Sequence, residues 1–233
     1  MSSKKAEQRR IKEEKQAATE RRDKMTGWLL KGGAVVLLLA AAVVFFEGLF
    51  LAPKSPPPGE IAAADHVRGN TDAAHTITVY ADFQCPACAT ETSLITRAWP
   101  QVRERAKLVF RHYPLDTHAH SFLAARYAEA AAYQDGFWPM HDMLFANQQL
   151  WAGVDDPTVL FDGYASQLGL DVMQLKQDLE RPEVREKVVA DQRGGTSAGV
   201  RSTPTLFIDG RMVLRNPGTV GEFVKLVDDA ARD

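Results

Sequence analysis

Only two cysteines occur in 233 residues, and they stand three apart as Cys85-Pro86-Ala87-Cys88. Before them lies the β-rich run Thr76 to Ala81 (TITVYA); after them Leu94, Ile95, Ala98, Val102 and Ala106 recur at helical spacing. A chain with this order passes from a buried strand through a turn directly into a helix, with both sulfurs on one face of the first turn. Cβ atoms at i and i+3 of a helix are about 5–6 Å apart, and slight tightening gives the ~3.8 Å of a disulfide, so the pair can open and close. Cys85 would sit at the helix N-terminus, where unpaired N–H groups and the macrodipole favour an anion. Pro86 would take the first helical position, where a missing N–H costs nothing. That pattern favours Cys85 as the thiolate and Cys88, one turn in, as the resolving thiol. Two other readings stand beside it. A structural disulfide across a two-residue loop would constrain the unfolded chain little. A zinc site lacks ligands, because His112, His118 and His120 follow at irregular offsets; copper held by Cys85 and Cys88 stays open.

The second constraint is an apolar segment. Trp28 to Leu51 carries only Lys31 and Glu47 as charges, and Gly32 to Phe46 carries none. At 1.5 Å per residue the stretch is about 36 Å long, enough for a ~30 Å hydrocarbon layer with both charges at the interfaces. A cleavable signal peptide has a short basic flank, whereas 27 mostly polar residues come first here, so the segment reads as a retained single-pass anchor. Residues 1–31 hold ten Lys/Arg against five Asp/Glu, and a positive flank stays in the cytoplasm. The expected layout is a charged cytoplasmic tail over 1–27, a lipid-embedded anchor over 28–51 in the inner or cytoplasmic membrane, and a periplasmic or extracellular body. Residues 52–64, which begin APKSPPPGE, read as a proline-rich stalk, with those nine residues spanning about 28 Å as polyproline II. From residue 32 onward the chain holds eighteen Lys/Arg against twenty-five Asp/Glu. An acidic body with no basic stripe excludes nucleic acid as a partner, since phosphate neutralisation supplies that affinity.

Lys107 to His112 (KLVFRH) reads as a second strand. The next eighty residues are helical in pattern: a run opening at Thr117 or His118 and ending near Gly136, another from Trp138-Pro139, and further starts at Asp156-Pro157 and Arg181-Pro182. Thr205 to Ile208 and Arg211 to Arg215 flank Asp209-Gly210, a two-residue hairpin signal, and Thr219 to Ala231 is a closing amphipathic helix. Pro204 can begin a strand because it has no N–H to leave unpaired. Its bond to Thr203 is an ordinary trans proline in one reading and a cis bond in the other; beside a cysteine pair, cis is the expectation.

Strand, helix, strand, a helical block, then strand, strand, helix is an α/β order, that of a thioredoxin fold with an all-helical insertion at about 117–198 inside a domain of residues 65–233. The motifs resemble those of the DsbA-like thioredoxin family of exported bacterial thiol-disulfide oxidoreductases, in its single-domain, membrane-anchored branch. The likeness lies in Asp65-His66-Val67-Arg68-Gly69, Asp82-Phe83-Gln84-Cys85-Pro86-Ala87-Cys88, Phe110-Arg111-His112-Tyr113-Pro114-Leu115, Phe137-Trp138-Pro139-Met140-His141-Asp142, Leu168-Gly169-Leu170-Asp171 and Gly199-Val200-Arg201-Ser202-Thr203-Pro204-Thr205. The resemblance implies Cys85 as the attacking or attacked sulfur and Cys88 as the resolving one, with a redox-active Cys85–Cys88 disulfide in place of any cofactor or metal. It further implies client binding at Thr203 and cis-Pro204, by strand addition with little sequence preference, and at Pro86 and Ala87. Its partners would be exported proteins with cysteines and a membrane redox protein, either a quinone-linked oxidase or a thiol reductase. One departure bears on the direction of electron flow: strongly oxidising members often carry Pro-His between the cysteines, and Ala87 has no imidazole to stabilise a thiolate. An oxidase is the primary expectation, a reductase or isomerase the alternative within the fold, and a metal-binding or chaperone module the alternative outside it. His118 and His120 read first as surface or capping residues and second as tuning Cys85. Phe137, Trp138, Met140, Met143, Leu144 and Phe145 read as core of the insertion, and Asp82 reads as an exposed acid, with proton buffering near Cys88 as its second role.

Overall fold

The computed structural model describes residues 56–230. The expected anchor at 28–51, the tail at 1–27 and residues 52–55 lie outside that range. Among the described residues, no helix is long and apolar enough to cross a membrane.

Alternation along one strand decides how the sheet is covered. In β2 (His75–Ala81), Ile77, Val79 and Ala81 belong to the main core, whereas Tyr80, out of phase with them, packs with Tyr113, Val200 and Phe207 in a second cluster. A strand apolar on both faces belongs in the middle of a sheet with layers on both sides. The sheet order is β1-β3-β2-β4-β5, with β1 at His66–Arg68, β3 at Ala106–His112, β4 at Thr205–Ile208 and β5 at Arg211–Met212. β2 and β3 run parallel, joined by helix α1 (Pro86–Val102), while β1, β4 and β5 are antiparallel to their neighbours. Parallel neighbours need such a crossover. α1 buries Leu94, Ile95, Ala98 and Val102 in the main core.

Between β3 and β4 come α2 (Ser121–Ala132), α3 (Phe137–Ala146), α4 (Gln148–Trp151), α5 (Thr158–Gln167), α6 (Val172–Leu179) and α7 (Pro182–Ser197). α8 (Val220–Ala230) closes the described chain and packs on α1. α7 lies over the Tyr80 face, where a Cβ at Gly195 would stand 2.8 Å from the Tyr80 ring and 2.9 Å from Tyr113. Only glycine permits that approach. Phe137, Met140, Leu144 and Phe145 are buried in the main core as expected, with Trp138 and Met143 packed against it.

Two local expectations are corrected, and one strand is added. β1, three residues long, carried no strand signal of its own; it forms by pairing with Leu108, Val109 and Phe110. The strand expected over Arg211 to Arg215 stops at Met212: the chain leaves the sheet edge, Leu214 is exposed, and the Asn216 amide turns back to donate to the Pro204 carbonyl (3.0 Å). The hairpin itself is as read, with Asp209 at φ 49° and Gly210 at φ 80°, the positive pair of a primed turn. The stalk expected over 52–64 is not an extended spacer in its described part. Arg111, buried in β3, donates to the carbonyls of Pro56 (2.6 Å) and Glu60 (2.7 Å) and to the Asp65 carboxylate (2.8 Å). A buried guanidinium needs several acceptors at once, and these residues supply them by folding onto the sheet.

Candidate active site around the cysteine pair

The strand-to-helix turn places the sulfurs as the spacing predicts. Cys85 is the N-cap residue of α1, in an extended conformation, and Pro86 occupies its first turn. Cys85 is 7% exposed and Cys88 0%, and both are free thiols. Pro86 and Ala87 stand exposed at the rim. The loop before β4 comes up against this turn: the Thr203–Pro204 peptide is cis, and Cys85 Sγ lies 3.5 Å from the Thr203 carbonyl oxygen. Thr203 and Pro204 are only partly exposed there. Cys85, Cys88, Pro86, Ala87, Thr203 and Pro204 thus converge on one site.

The two sulfurs are electrostatically unlike. The Cys85 thiol is lowered from 9.0 to about 5, chiefly by the hydrogen bond from the Cys88 thiol; burial opposes, while the Thr203 side chain and the amides of Cys88 and Ala87 add to the lowering. Amides of the helix N-terminus are among the groups that lower it, as expected, and Ala87 acts through its backbone rather than its side chain. Burial pushes the Cys88 thiol far up, and its hydrogen bond to Cys85 pushes in the same direction. At neutral pH the site holds one thiolate at the rim and one protonated thiol beneath it. That is the arrangement for nucleophilic sulfur exchange followed by internal resolution.

Sequence reading missed the polar frame around the turn. Gln148 of α4 donates its amide to the carbonyls of Phe83 (2.7 Å) and Cys85 (2.9 Å). Gln84 donates to the Ala152 carbonyl (2.7 Å) and accepts from the His120 amide (2.6 Å), and His120 Nε2 meets the Val154 carbonyl at 2.7 Å. Asp82, expected at the surface, is 1% exposed. Its carboxylate accepts from the amides of Gln84 (2.7 Å) and Leu115 (2.9 Å) and from His118 Nδ1 (2.7 Å), which is what permits its burial. His118 is therefore a partner of Asp82 rather than a free surface residue. No signal in the sequence places Gln148 or Leu115 here, because the contacts span 63 and 33 positions. Among the described residues, no group of three or more His, Cys, Asp and Glu is placed to hold a metal ion.

Comparison with known proteins agrees with this geometry. A family model described as thioredoxin matches residues 62–229. Among solved structures, the chain is similar to a thioredoxin-like oxidoreductase from Silicibacter pomeroyi (24% identity, TM-score 0.63, 74% of this chain and 95% of that one). It is also similar to BdbD from Bacillus subtilis (19%, TM-score 0.63, 78% and 100%) and to MdbA, a thiol-disulfide oxidoreductase from Corynebacterium diphtheriae (20%, TM-score 0.59, 78% and 98%). Among curated sequences, it is 38% identical over 151 residues to the Na(+)/H(+) antiporter NhaA of Herminiimonas arsenicoxydans, a match over 63% of this chain and 22% of the antiporter. The chain thus spans about a fifth of the length of the curated relatives it matches.

Proposed function

The chain belongs to the thioredoxin family, and from that premise we propose that it is a DsbA-like, membrane-tethered thiol-disulfide oxidoreductase acting outside the cytoplasm. Its Cys85–Cys88 disulfide accepts electrons from cysteines of exported proteins. A client thiolate attacks Cys85, a mixed disulfide forms, and a second client thiolate attacks the client sulfur of that bond, leaving Cys85 and Cys88 reduced. A quinone-linked membrane oxidase would then restore the disulfide. The observation that carries this reading is the unequal pair, a thiolate at Cys85 over a buried thiol at Cys88, beside the Thr203–cis-Pro204 edge. That edge suits an extended client segment of broad sequence, with Pro86 and Ala87 as the rim it crosses.

The test is the reduction potential of the pair with trapping of clients. A potential toward about −120 mV supports oxidation, whereas one near about −270 mV would assign the same site to a reductase recharged by a membrane thiol reductase. Cys88→Ala should hold clients as mixed disulfides on Cys85. A Cys85→Ser/Cys88→Ser protein with full activity in cells would refute dithiol exchange and leave a binding or chaperone module. Membrane tethering through 28–51, with the N-terminus cytoplasmic, is tested by protease protection in spheroplasts: residues 56–230 should be cleaved and the tail spared.

A further inference from the structure

We propose that Asp82 and His118 are positioning residues for the inner sulfur, so that the loop leading into the helical insertion sets how fast the Cys85–Cys88 bond opens and closes. The inference rests on the redox reading of that pair and assigns it a control that lies outside the CxxC segment.

The backbone N–H of Asp82 donates to Cys88 Sγ at 3.5 Å. Cys88 is otherwise sealed from solvent. When a client thiolate attacks Cys85 Sγ, a client–Cys85 S–S bond forms, the Cys85–Cys88 bond breaks, and its electron pair goes to Cys88 Sγ. That sulfur then takes up a proton, matching the one the client thiol released to solvent. In the reverse step the Cys88 thiolate attacks Cys85 and expels the client thiolate. Both directions put negative charge on Cys88 in a buried place, where a donor already aimed at the sulfur lowers the barrier.

The aim of that donor depends on the side chain of the same residue. The Asp82 carboxylate is gripped on one oxygen by the Gln84 amide and on the other by the Leu115 amide and His118 Nδ1. Two of those three donors come from the segment between β3 and α2, the entrance to the insertion. The Asp82 side chain is 0% exposed and that of His118 24%, so the grip starts at the surface and ends under the sulfur. The same segment is tied down by the Tyr113 amide to the Ala81 carbonyl (2.8 Å) and by the His120 amide to Gln84. Movement of residues 113–120 therefore moves the Asp82 amide.

The experiment follows a mixed disulfide formed between glutathione and Cys85 in the full-length chain in mild detergent, and times glutathione release as Cys88 closes the ring. Asp82→Ala should slow release roughly tenfold, the scale of one weakened hydrogen bond to a charged group. His118→Ala, partly exposed and so tolerant of substitution, should slow it about threefold, and His118→Gln, which keeps a side-chain donor, should recover most of the rate. The rate and pH profile of Cys85 alkylation in the reduced variants should stay within twofold of the parent. Release at the parental rate in both alanine variants overturns the proposal, as does a parallel fall in Cys85 alkylation, which would mean general distortion of the turn. If the parent chain itself forms no mixed disulfide, the redox reading fails, and that outcome is separate from any difference among variants.

Discussion

The unequal thiols make a stability difference between redox states that has a definite pH window. In the reduced protein Cys85 ionises at about 5 instead of 9.0; in the oxidised protein neither sulfur ionises. A depressed pKa stabilises the fold fully above the unfolded value near 9.0, and that contribution is lost as the pH falls through about 5. At pH 7 two pH units separate the medium from the folded value, worth about 2.7 kcal/mol at ~1.36 kcal/mol per unit. Water reaches the rim where Cys85 sits, and screening trims the figure to about 1.5–2.7 kcal/mol. Cys88 adds nothing in this window, because burial raises its pKa and it is protonated in both folded and unfolded chains. Other titrating groups act in both redox forms and cancel in the difference. Thermal unfolding of reduced and oxidised full-length chain in mild detergent, at pH 4 to 8, measures it. The reduced form should gain on the oxidised form between pH 5 and 7 by roughly 3–10 °C, taking about 2–4 °C per kcal/mol for a domain of this size. A difference that does not change between pH 5 and 7 would refute the thiolate assignment.

Two further outcomes follow from the same structure. Cys88→Ala removes the largest cause of the Cys85 shift, and a hydrogen bond to a charged group is worth about 1.5–3 kcal/mol; the Cys85 alkylation midpoint should therefore rise by about one to two pH units, and a midpoint unmoved from about 5 would credit the amides and Thr203 instead. Glu91, 7% exposed on the buried face of α1, has a carboxyl oxygen with no hydrogen-bond partner, and burial raises its pKa from 4.5 to about 7. Its penalty is absent below about 4.5 and complete above about 7, so Glu91→Gln should stabilise the protein by about 1–3 kcal/mol at pH 8, after allowance for screening, and by almost nothing at pH 4; equal effects at both pH values would show that ionisation is not the cause.

How much was legible in advance divides by the range of the interaction. Cys85, Pro86, Cys88 and the Asp209-Gly210 hairpin are local patterns, and each occupies the element its spacing implies. The buried polar groups could not be read. Nothing in KLVFRH marks Arg111 as buried, yet it is 0% exposed because Asp65 and the carbonyls of Pro56 and Glu60 surround it. Acids and guanidinium groups are seldom buried unless paired, and the pairing partner is visible only in three dimensions. The same holds for Asp82, which pattern alone assigns to solvent. For Cys85 the expected direction of the shift agrees with the structure, and the Cys88 thiol adds a contribution that the local pattern does not announce.

The causes of that shift bear on the direction of electron flow. Absence of an imidazole at position 87 suggested a weakly held thiolate, but the groups that lower Cys85 are the Cys88 thiol, Thr203 and two backbone amides, none of which needs a particular side chain at Ala87. Thioredoxin's attacking cysteine has a pKa near ~7. Against it, a group at about 5 gains an extra ~2.3 kcal/mol of thiolate stabilisation at pH 7. Stabilising the reduced form makes the disulfide the stronger oxidant, and at about 30 mV per 1.4 kcal/mol this moves the pair roughly 50 mV up from thioredoxin's −270 mV, toward about −220 mV. On the proposed redox reading, thiolate stabilisation thus moves the expected potential upward from the thioredoxin value, the direction that favours an oxidase. A measured potential well above about −270 mV would then support the oxidase reading, whatever residue stands at Ala87.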